Sequence, residues 1–78
     1  MFKRVFEENH VCRGGIGTPL TMMRSDGEDG SVCWIVGRVY RTVRTGAWGI
    51  DGVYFEDEAE AEQYFETVNN LIAIGSSK

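Results

Sequence analysis

From residue 57 onward the apolar positions follow a helical period. Ala61, Tyr64, Phe65, Val68 and Ile72 recur at i, i+3, i+4, i+7 and i+11, which sets them on one helical face. Upstream the period shortens to two. Across Ser31 to Thr45, one strand face holds Val32, Trp34, Val36, Arg38, Tyr40, Thr42 and Arg44. The other holds Cys33, Ile35, Gly37, Val39, Arg41 and Val43. The Val, Ile, Trp and Tyr content of this stretch suits a strand. Phe2 to Phe6, with an extension toward Cys12, reads as a first strand and Leu20 to Arg24 as a short second one. Ala47 to Phe55 reads as a fourth, weakened by Gly49 and Gly52. Arg13 to Pro19 is a flexible glycine-rich loop by composition. Ser25 to Gly30 is a hairpin turn longer than the two-residue kind, and Thr45-Gly46 a further turn.

Asp57 is placed to cap the helix, with Glu60 three residues on approximating a capping box, and Gly75 is placed to stop it. The predicted architecture is therefore α+β, a single domain over residues 1–78. A three- to four-stranded antiparallel sheet spans about 2–55, and one C-terminal amphipathic helix, about 57–74, packs on one of its faces. Gly37, in mid-strand, predicts a bulge or bend. The Cys33–Val43 face, small and aliphatic, is expected beneath the helix. That leaves Trp34, Arg38, Tyr40 and Arg44 as an exposed aromatic–arginine row, a composition that binding surfaces favour. The alternative sets Trp34 in the core above the Gly37 bend and leaves the arginines solvated.

Charge changes this picture more than composition does. With 42% apolar residues the chain can bury one modest core, which in so small a domain stabilises only marginally, on the order of a few kcal/mol. A second copy or a partner could add to that burial, so a homodimer stays open. The formal charge of −4 is unevenly placed: residues 1–48 carry seven Lys and Arg against five Asp and Glu, and residues 49–78 carry one against seven. Glu58, Glu62 and Glu66 recur every fourth residue as an acidic stripe beside the apolar arc, with no cation four residues on to offset it. Net acidity argues against general affinity for nucleic acid and suits a basic protein surface. Regular carboxylates can also compete with phosphates for a basic groove. The charged N-terminus does not read as a secretory signal, and no apolar run approaches the ~20 residues of a membrane span. Two cysteines are too few for a secreted disulfide scaffold. A cytoplasmic protein with reduced Cys12 and Cys33 is expected, a Cys12–Cys33 bridge being the alternative.

Catalytic and metal signatures are weak. His10-x-Cys12, with Cys33, falls short of the four ligands and the knuckle spacing that zinc sites use. Gly14-Gly15-Ile16-Gly17 lacks the Lys-Ser/Thr of a phosphate loop. A Cys12–His10 dyad has no orienting third group. No enzyme activity, cofactor or metal is expected.

The run Val53-Tyr54-Phe55-Glu56-Asp57-Glu58-Ala59-Glu60-Ala61-Glu62-Gln63-Tyr64-Phe65, an aromatic strand end followed by an Ala/Glu helix, closes a strand–strand–strand–helix order in a small acidic chain. Over about its second half the protein resembles small phage-encoded inhibitors, notably some anti-CRISPR proteins. The resemblance implies a non-enzymatic protein that binds a nuclease or surveillance complex and blocks nucleic-acid access; no residue roles are carried over from it. The residues themselves nominate Glu58, Glu62, Glu66, Trp34, Arg38, Tyr40 and Arg44 as contacts to a larger, basic partner. The competing function is a nucleic-acid-binding accessory protein using Arg38, Arg41, Arg44 and Tyr40, with Trp34 or Trp48 stacking on bases.

Overall fold

The computed structural model describes residues 2–76. Strands β1 (Phe2–Val5), β2 (Val11–Arg13), β3 (Thr21–Asp26), β4 (Val32–Arg41) and β5 (Trp48–Phe55) precede one helix, α1 (Glu58–Ser76). They form one five-stranded antiparallel sheet in the order β1-β5-β4-β3-β2. The predicted α+β architecture is present, with one strand more than the sequence suggested. The extra strand comes from the N-terminus. Phe2 to Cys12 is not one strand but two short ones on opposite edges of the sheet, joined by Phe6 to His10 with a single 3₁₀ turn at Glu8–His10.

That connection is short for what it spans. Four interstrand spacings amount to about 19 Å, close to the full reach of six extended residues, roughly 20 Å, and a 3₁₀ turn rises only about 2 Å per residue. The sheet must therefore curl toward the strap, bringing its edges closer. Phe6 N–H donates to Trp48 O at 3.1 Å, and the Phe6 ring is buried against Met23, Ile35 and Ile50, with Val11 and Val39 at the margin. The strap is thus the lid of one core.

The second core lies on the opposite face, under the helix. Ala61 and Phe65 pack on Leu20, Met22 and Val36, flanked by Trp34, Phe55, Val68 and Ile72. The helix accordingly covers the Trp34–Val36 face of β4, not the Cys33–Val39 face expected beneath it. The reason is that both faces are covered, one by α1 and one by the strap, so apolar side chains run continuously through the middle of the strand and the alternation carries no preference. Tyr64 sits at the margin of the arc, 37% exposed, with its ring 5.2 Å from that of Phe55.

Pairing of β4 with β5 runs unbroken through Gly37, which faces Gly52, so no bulge forms there. The helix begins as expected: the Asp57 carboxylate accepts the Ala59 N–H at 3.3 Å. It does not end as expected, because it continues through Gly75 to Ser76. The glycine loop is tied down, with Gly15 N–H donating to the hydroxyls of Thr18 and Thr21, both at 3.1 Å. The β3–β4 turn closes on Asp29, whose carboxylate accepts the Ser31 hydroxyl at 2.6 Å and its N–H at 3.0 Å. These bonds stabilise the charged carboxylate and lower its pKa, the side-chain bond most. No helix among the described residues is long and apolar enough to cross a membrane.

Candidate partner-binding surface

Because α1 commits Ala61, Phe65, Val68 and Ile72 to the sheet, its carboxylates fall on the flank that faces β2. Glu58, Glu62 and Glu66 are all exposed there. The helix supplies no cation to this stripe, but the sheet does. Arg13, the last residue of β2, places Nη1 3.6 Å from Glu62 Oε1 and 3.8 Å from Glu66 Oε1, and its guanidinium lies 5.0 Å from the centre of the Phe65 ring. Exposed pairs of this kind contribute about 0–1 kcal/mol each, and one guanidinium offsets only one of two carboxylates. Glu56, Asp57 and Glu60 are exposed as well. Around the helix entry and its first half six carboxylates are thus exposed, and Arg13 pairs with two of them.

The aromatic–arginine row does not survive as a row. Trp34 is half-buried against the helix core, and its indole Nε1 is sealed from solvent with no hydrogen-bond partner. Arg38 and Tyr40 lie on the same side of the sheet, beyond the helix's cover, and both are exposed; Arg44 is exposed in the β4–β5 turn. Arg41 projects from the other face, where it donates to Gly46 O at 3.2 Å and stands 5.8 Å from the Trp48 ring. The three arginines of the competing reading therefore do not share one surface, and its two tryptophans lie on opposite sides.

Where the helix stops covering the sheet a cleft opens, about 510 Å³, with Tyr64 on the helix side and Arg38, Tyr40, Asp51 and Val53 on the strand side. Asp51 and Arg13 are the functional candidates that sequence reasoning passed over. A charge between Ile50 and Gly52 in an apolar strand was a visible signal for the first. Nothing local marks the second, since its partners are about fifty residues away in sequence.

Both cysteines are free, Cys12 at the surface and Cys33 buried. Partial desolvation, and after it the carboxylate of Glu58, raises the Cys12 thiol pKa. In the native protein Cys12 alone is expected to react with iodoacetamide at neutral pH, and slowly. Glu58→Gln should quicken it, and denaturation without reductant should expose two thiols per chain. Alkylation of Cys33 at the native rate of Cys12 would show that the strap side opens. His10 and Cys12 share a shallow pocket with Arg24, and the His10 Nδ1 lies 3.3 Å from Glu7 Oε2. No three His, Cys, Asp or Glu side chains cluster as metal ligands among the described residues.

No protein-family model, curated protein or solved structure matches the chain.

Proposed function

We propose that the protein is a non-enzymatic binding protein that docks its acidic helix flank on the basic surface of a larger protein and blocks nucleic-acid access there, as small phage-encoded anti-CRISPR inhibitors do. The observation that supports this reading most is the cluster of exposed carboxylates from Glu56 to Glu66, of which Arg13 pairs with Glu62 and Glu66. Surface charge held this close together attracts a complementary surface over about a Debye length, ~8 Å at physiological ionic strength, and speeds encounter with it. The separation of Arg38 and Arg41 onto opposite sides of the sheet weighs against a nucleic-acid surface built from the arginines.

Reversing Glu58, Glu62 and Glu66 to Lys is expected to abolish partner capture from host lysate, and capture by the wild type should weaken as salt rises. The reversal costs no packing, but it sets two ammonium groups beside Arg13, so a melting temperature a few degrees lower is expected. Adding Arg13→Glu should restore the melting temperature without restoring capture. If the wild type instead retains DNA or RNA on a filter, and Arg38→Ala, Arg41→Ala and Arg44→Ala together eliminate that retention, the nucleic-acid reading replaces this one.

A further inference from the structure

The cleft beside the helix holds two opposite charges that do not satisfy each other. Arg38 and Asp51 are directly paired across β4 and β5, yet no ion pair joins them, and the Arg38 side chain makes no hydrogen bond, ion pair or ring contact among the described residues. Asp51 Oδ1 is sealed from solvent without a donor. A buried carboxylate oxygen in that state is costly, and any N–H brought to it recovers a charge-assisted hydrogen bond. Rotation about the soft terminal torsion of an aspartate exchanges its two oxygens, so either can be turned to the cleft.

The rest of the lining narrows what could bring that N–H. Leu20, Val36 and Val53 make the walls apolar, and the half-exposed rings of Tyr40 and Tyr64 border the opening. The volume, about 510 Å³, lies in the usual range for small-ligand sites, ~300–1,000 Å³. A cationic ligand drawn to Asp51 meets Arg38, and an anionic one drawn to Arg38 meets Asp51. A neutral group with a donor and an acceptor side by side satisfies both. Aromatic rims favour a flat ring.

We infer that this cleft binds a neutral planar heterocycle of the nucleobase type, with Asp51 accepting a ring N–H and Arg38 donating to the adjacent carbonyl. The site lies on the side of α1 away from Arg13 and the acidic stripe, and it does not depend on the partner proposed above.

Uridine is a direct probe, because its ring N–H stands beside two carbonyls. 3-Methyluridine keeps the ring and both carbonyls but lacks that proton. In ¹H–¹⁵N spectra of the labelled protein, uridine should give saturable shifts centred on Arg38, Asp51, Gly52, Val53 and Tyr64, and 3-methyluridine should bind at least tenfold more weakly. Asp51→Asn and Arg38→Ala should each weaken uridine at least tenfold. Neither should lower the melting temperature, since the first keeps the shape of a half-buried side chain whose sealed Oδ1 has no donor and the second removes an exposed side chain. Absence of saturable shifts at these residues, equal binding of the two nucleosides, or undiminished binding by the folded Asp51→Asn protein would overturn the assignment. Loss of partner capture on reversing the acidic stripe, with uridine binding intact, would separate this site from the docking flank.

Discussion

Phe65→Ala is expected to unfold the protein at temperatures where the wild type is fully native. Phe65 is 5% exposed and sits in the centre of the helix-side core, against Leu20, Met22, Val36 and Ala61. Truncating a buried phenylalanine costs about 3–5 kcal/mol, the lost transfer energy plus the cavity left behind. A domain this small holds roughly that much in total. Two features keep the cost at the upper end. The ring also carries the guanidinium of Arg13, which would lose its aromatic neighbour and be left to the two glutamates. And among the described residues α1 is the only element covering this face of the sheet, so no other element there can slide in to fill the space. Thermal melting followed by far-ultraviolet circular dichroism checks it. A shift of only a degree or two would mean that α1 docks through some other face. Tyr64→Ala makes the contrast, because its half-exposed ring lies at the margin of the arc and should cost about 1 kcal/mol, the worth of one aromatic pair.

The helix was legible in the sequence because Ala61, Phe65, Val68 and Ile72 repeat on one side while carboxylates and amides fill most of the rest, so period and packing say the same thing. Strand β4 was not. From Cys33 to Gly37 it is apolar on both sides, buried by α1 on one and by the Phe6 strap on the other, and period two cannot choose between two covered faces. The strap itself escaped notice because Val5-Phe6 and Val11-Cys12 both look like strand. The four polar residues between them, Glu7 to His10, mark the place where the chain leaves one edge of the sheet and crosses to the other.

The candidate surfaces divide in the same way. The stripe of Glu58, Glu62 and Glu66 follows from spacing along one helix, whereas the Arg13 that partly neutralises it arrives through tertiary contact. Trp34 left the exposed row for the same reason that the face assignment reversed. Arg38 and Asp51 meet only because β4 and β5 pair in one particular register. Gly75 reads as a helix stop, but a glycine can also remain right-handed. It takes no positive φ here, so the helix runs through it.

Glycine in this protein also supports the sharpest test of the fold. Gly37 and Gly52 face each other at the centre of the β4–β5 pair, on the strap side. A methyl group on Gly37 would collide with the Asp51 carbonyl oxygen and lie 2.5 Å from Gly52 Cα, and one on Gly52 would collide with Val36 O in the same manner. The obstacle is backbone in both cases, so no side-chain rotation relieves it. Relief requires prying apart the two strands that carry both Ile50 and Val36, one from each core. Overpacking in ordinary interiors costs about 1–3 kcal/mol because side chains can give way. Here the expected cost lies above that range, and Gly37→Ala or Gly52→Ala should each abolish the cooperative melting transition. Gly75→Ala should do the reverse. Nothing lies within 4 Å of the added methyl, and a helical glycine gives up about 0.5–1 kcal/mol relative to alanine, so its melting temperature should stay level or rise by a few degrees. Urea titrations of the three variants side by side make the measurement. A Gly37→Ala protein that melts within a few degrees of the wild type would show that β4 and β5 do not approach as closely at their centre as the paired glycines allow, and that the curl toward the strap is shallower than the five residues from Phe6 to His10 require.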